Sequence, residues 1–211
     1  MSDSHPAMRA ALTTYTRFVS GNRPKFVDNE PGKTTIQTDQ GNFSLISRPN
    51  GYSVQAQDGT IVTYDYDDDG VKFTTRQPDG SKFGGHWQYR DPANYKIALF
   101  MGNSKAEVTT DHNHVVPAIG KVIDQLAGPL PRTNLHSFFY WLSISDDFKF
   151  EFGRRVRGQL PTGYFKAIYA ARLPNFGCAA ACVMCALALE TGPFDFWCVL
   201  CLACIPSGGV V

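Results

Sequence analysis

Cysteine is missing from most of this 211-residue chain: all six cysteines stand between Cys178 and Cys204. Lysine and arginine are missing from the same stretch, where only Glu190 and Asp195 carry charge from Phe176 to Val211. The N-terminus, Met1-Ser-Asp-Ser-His-Pro-Ala-Met-Arg-Ala-Ala-Leu12, has no apolar core of a secretory signal. There is no basic block long enough for a nucleic-acid footprint, and 20 Lys+Arg against 19 Asp+Glu leave a net charge of +1. A Gly-rich phosphate loop, a nucleophile elbow and an HExxH pattern are all absent. These absences point away from an enzyme and away from a nucleic-acid partner. They also imply a chain made in the cytoplasm that leaves it, if at all, by lysis or a non-classical route.

The cysteines are arranged as mirror images about the turn Glu190-Thr191-Gly192-Pro193, pairing Cys185 with Cys198, Cys182 with Cys201, and Cys178 with Cys204. On helices, each arm places its cysteines on one face, at i, i+4, i+7 in the first and i, i+3, i+6 in the second. Neighbouring alanines allow the close approach that disulfides need. The spacing therefore predicts a cysteine-laddered helical hairpin over residues 176–211. The innermost bridge would close a loop of about fifteen residues, worth roughly 3 kcal/mol. Two alternatives stay open. Cys182-x-x-Cys185 and Cys198-x-x-Cys201 have the spacing of paired zinc knuckles, although their apolar setting suits a packed or lipid-facing helix better. Reduced core cysteines would serve equally in a reducing cytosol. Each arm is shorter than the roughly 20 apolar residues that span a bilayer, which leaves a buried or shallowly inserted hairpin.

Ahead of this segment the chain changes character twice. Ser4 and Pro6 open an expected helix over residues 1–22, with Met8, Ala11, Leu12, Tyr15, Phe18 and Val19 on one stripe. From Lys33 to Thr110 the period becomes two, and Gln40-Gly41, Asn50-Gly51, Asp58-Gly59, Asp69-Gly70 and Asp79-Gly80 punctuate it. This predicts an antiparallel β-meander within residues 23–128. An aromatic and basic connecting region, 129–175, follows the break at Gly128-Pro-Leu-Pro131. There Phe148-Lys-Phe-Glu-Phe152 alternates like a strand. The expected class is α+β: an N-terminal helix, a meander of DG/NG-turn hairpins, and an α-helical C-terminal part ending in the hairpin.

Three further motifs carry candidate chemistry. Asp65, Asp67 and Asp69 before Gly70 match the opening of a calcium loop, but Arg76 stands where the closing carboxylate belongs. A solvated hairpin turn explains them without metal. Asp111-His-Asn-His114 gathers two imidazoles and a carboxylate before an expected helix, Val115 to Leu126, for which Asp111 or Asn113 can act as cap. Arg154, Arg155 and Arg157 precede an amphipathic aromatic stretch and suit a membrane surface or, in an exposed loop, a processing site.

In layout the chain resembles the halocin-type precursors, in which a long N-terminal part precedes a compact cysteine-rich peptide. It departs from them in the mirrored cysteine spacing, the missing export signal and the acidic segment. No motif aligns, so no residue role is carried over. The resemblance implies a bacteriocin-like or toxin-like antimicrobial protein, whose β-rich carrier holds a membrane-active hydrophobic segment and whose partner is membrane lipid. The alternative is a non-enzymatic structural or interaction protein that uses the segment to anchor or to form a homo-oligomer. A cysteine-rich zinc module is the third reading; otherwise no cofactor is expected.

Overall fold

Side chains from Lys33 onward alternate between burial and exposure because each strand shows one face to a core and the other to water. The structure, a computed structural model, describes residues 23–162 apart from 40, 92–93, 112–113, 127–134, 136–137, 140 and 143–144. Nine strands follow one another: β1 (Lys25–Glu30), β2 (Lys33–Thr38), β3 (Gly41–Arg48), β4 (Gly51–Ala56), β5 (Ile61–Tyr66), β6 (Gly70–Arg76), β7 (Lys82–Asp91), β8 (Asn94–Met101) and β9 (Ser104–Thr110). Each pairs antiparallel with the next, in the order β1 to β9, so the sheet is a pure meander. Two helices complete the described elements, α1 (Val115–Asp124) and α2 (Asp146–Arg157).

The turns explain the register. In the Asp58-Gly59 turn, Gly59 takes φ 92° and the Asp58 carboxylate accepts the Thr60 amide at 2.9 Å. Asp79 holds Ser81 in the same way at 2.8 Å, with Gly80 at φ 85°. An aspartate that hydrogen-bonds two residues on mimics a backbone turn, and the following glycine accepts the left-handed φ without strain. Gly51 differs from this pattern, because it begins β4 and sits against the Tyr64 carbonyl rather than turning the chain.

The expected α+β class is corrected. The described fold is mostly one nine-stranded antiparallel sheet, with only two short helices. The expected N-terminal helix, 1–22, and the expected cysteine-rich hairpin, 176–211, lie outside the described residues. Two local expectations change as well. Lys25–Glu30 forms an edge strand that its sequence, with little alternation of apolar residues, did not announce. Phe148 to Phe152 is helical rather than extended. Ser145 caps α2 by accepting the Phe148 amide at 3.2 Å, Asp146 and Asp147 occupy the first turn, and arginines occupy the last. Those charges complement the helix dipole, and Phe148, Phe152 and Val156 recur on one buried face. Phe150, the residue that made the stretch look alternating, points out and is 70% exposed.

One apolar cluster joins the inner face of the sheet to both helices. Its centre is aromatic. Tyr52 stacks on Tyr64 at 4.9 Å and meets Phe152 edge-on at 5.4 Å, while Phe138 contacts Phe43, Phe148 and Phe152 within 5.7 Å. Edge and offset contacts of this kind add to the area that the rings bury. The aromatic run Leu135 to Leu142 thus contributes Phe138, Phe139, Trp141 and Leu142 to the same core as the strands.

Candidate functional site

The first candidate place is where α2 meets the sheet edge. Phe148 packs on Phe26 of β1 at 5.3 Å, and this brings the last turn of α2 over the β1–β2 turn. Arg155 there donates from Nε to Glu151 at 2.7 Å, from Nη1 to Asp28, and from Nη1 to the Thr34 hydroxyl at 3.3 Å. Its guanidinium also stands 5.2 Å from the centre of the Phe26 ring. Arg154 holds Glu151 through two bonds of 2.8 and 2.9 Å. The Thr34 hydroxyl bond, followed by the Arg155 guanidinium, lowers the Asp28 carboxyl below its usual range. Glu151 is lowered chiefly by its bonds from Arg154. Beside this network is an open cleft of about 390 Å³, lined by Asp28 to Thr34, Leu45, Ser47 and Arg155. Its charges already satisfy one another. Arg154, Arg155 and Arg157 therefore lie in the last turn of a helix, where at least Arg154 and Arg155 tie α2 together and, through Asp28, tie it to the sheet.

The aspartates of the calcium-like motif are used separately. Asp65, on the outer face of β5, pairs with Arg48 at 3.3 Å. Asp67 accepts the Asp69 amide at 3.3 Å, an ordinary aspartate turn. Among the described residues no three acidic, histidine or cysteine side chains gather as metal ligands do. Asp67 instead faces His86, whose Nε2 lies 3.9 Å from its carboxylate, is shielded from solvent and makes no hydrogen bond. Desolvation depresses the His86 pKa, outweighing the attraction of Asp67.

At the start of α1, His114 meets the Asp111 carboxylate through Nδ1 at 2.8 and 2.9 Å. His114 is itself the N-cap residue and makes no side-chain cap bond. This pair could orient an imidazole as a base, yet the ring is exposed at the surface. His112 and Asn113 lie outside the described residues, as do Cys178, Cys182, Cys185, Cys198, Cys201 and Cys204.

One surface escaped the sequence reading. On the outer face of β6 to β9 stand Lys72, Arg76, Lys82, Lys96 and Lys105. The signal for it was present in the period-two pattern, because Lys72, Thr74 and Arg76 alternate with buried Val71, Phe73 and Thr75. It is invisible to a search for contiguous basic blocks. Comparison with protein families, with curated proteins and with solved structures returns no match.

Proposed function

We propose that the β-meander part is a folded carrier for the cysteine-rich apolar segment 176–211, and that this segment acts on lipid membranes as a bacteriocin-like or toxin-like effector. The observation supporting the reading is a division of chemistry along the chain. Sheet and helices share one buried cluster whose last described member is Leu160, whereas every cysteine and the long stretch without a cation come later. No helix among the described residues is long and apolar enough to cross a membrane, so the lipid-active element is sought in the later segment.

Dye release from liposomes tests this. An oxidised peptide of residues 176–211 is expected to cause leakage, and cleavage of the full chain between Gly158 and Cys178 is expected to raise its activity. If both the peptide and the cleaved chain are inert, the effector reading is lost. A concentration-dependent oligomer that disappears on deleting 176–211 would assign the segment to assembly instead.

A further inference from the structure

Antiparallel register gathers the cations of four strands into one field. Arg76 and Lys82 are direct cross-strand partners, Lys72 faces His86, and Phe100 faces Lys105. Like charges placed directly opposite destabilise a sheet, so the Arg76–Lys82 pair weakens the element that carries it. Lys72, Arg76 and Lys82 are exposed and have no ion-pair partner among the described residues. Lys96 and Lys105 share a single carboxylate, Glu107, at 3.4 and 3.5 Å. On β6 to β9 Glu107 is the one carboxylate among the described outward side chains of the strands; Asp65, the register partner of Lys72 on β5, is paired with Arg48, Asp67 lies 3.9 Å from His86 Nε2, and Asp69 and Asp79 stand in turns. The apolar cluster and its helices lie on the opposite face of the sheet.

The middle of this field is low. Gly84 is the register partner of both Thr74 and Phe100, and the tip of the Phe100 ring lies 2.9 Å from where a Gly84 Cβ would stand. Phe100 is half-buried, and it is the single phenylalanine, tyrosine or tryptophan among the described outward side chains of the sheet. A site for single-stranded nucleic acid uses a groove along the backbone and successive rings on which bases stack. A broad strand-built plane with scattered cations and one ring instead matches an extended anionic surface.

We infer that the outer face of β6 to β9, through Lys72, Arg76, Lys82, Lys96 and Lys105, docks the protein on an anionic lipid surface. This rests on the membrane reading above and gives the carrier a role of its own: it brings the apolar segment to bilayers rich in anionic headgroups.

The test is co-sedimentation of the full chain with vesicles of phosphatidylcholine alone and of phosphatidylcholine with phosphatidylserine, at low and high salt. Each cation near such a surface contributes about a fivefold change in partitioning. The variant Lys72→Gln/Arg76→Gln/Lys82→Gln is therefore expected to lose binding to anionic vesicles by on the order of a hundredfold. The same loss is expected in high salt, where the charges are screened. Its circular dichroism should match that of the parent chain and its urea midpoint should be no lower, since all three side chains are exposed and the Arg76–Lys82 repulsion is relieved. Equal binding of variant and parent, or equal binding to neutral and anionic vesicles, overturns the inference while leaving the leakage assay of the 176–211 peptide to decide the effector reading. Binding to a single-stranded oligonucleotide without binding to vesicles overturns it in favour of nucleic acid. Charge-dependent docking with both the peptide and the cleaved chain inert would uphold the docking face and remove the effector.

Discussion

At Gly51 the sheet leaves no room for a side chain: a Cβ there would stand 1.9 Å from the Tyr64 carbonyl oxygen. Gly51→Ala is expected to push β4 from β5 and cost about 3 kcal/mol, read from the urea midpoint. The dipeptide Asn50-Gly51 had suggested a turn glycine. The residue type was legible in the sequence but its reason was not, because close approach depends on a strand contributed from elsewhere in the chain. Phe152 meets both Tyr52 and Phe138, and Phe152→Ala is expected to lose about 3 to 5 kcal/mol in the same assay. His86 makes a prediction about pH. Desolvation lowers its folded pKa below the ordinary value of 6.5, with Asp67 and Asp69 opposing that shift and Lys72 and Lys96 adding to it. An unfolded chain therefore binds more protons than the folded one in that window. The stability that neutral His86 contributes is full above pH 6.5 and is lost as pH falls through its lower folded pKa. His86→Gln should flatten the stability profile below pH 6.5; an unchanged profile would assign the acid sensitivity to other groups.

The helix α2 shows how an element can be misread from its pattern. Phe148, Phe150 and Phe152 alternate, which reads as a strand, but Ser145 and the order of acids before bases specify a helix. Tertiary packing then buried the two phenylalanines spaced four apart and left Phe150 outside. Ser145→Ala removes the cap on the Phe148 amide and is expected to cost about 1 kcal/mol, measurable as a shift in thermal midpoint. The strands β2 to β9 were far more legible. Their alternation and their Asp-Gly turns are local properties, and an antiparallel meander needs no other information to set neighbour against neighbour. β1 was missed because five of its six residues are exposed, so it carries almost no periodic signal. Its place depends on Phe26 meeting Phe148 and on Asp28 meeting Arg155, both contacts across more than a hundred residues.

For the molecule as a whole, the carrier reading makes a claim about the cysteines that intact mass can check. Three bridges would leave the native chain lighter than its reduced form by about six hydrogens. A full set of thiols with bound zinc would assign the cysteines to metal and remove the effector reading. The meander, its turn chemistry and the division between a charge-balanced β-rich part and a cysteine-rich apolar end were readable from the residues alone. Each of these follows from periodicity or composition within a short window. The tertiary structure alone decided that the described fold is mostly β, that the aromatic run Leu135 to Leu142 joins the sheet core, and that Arg154 and Arg155 serve as ties rather than as a free basic cluster. It also decided that five separated cations meet on one plane. The reason is the same in every case: burial and charge are set by which distant strands and helices share a face, and a linear sequence records that only after the chain has folded.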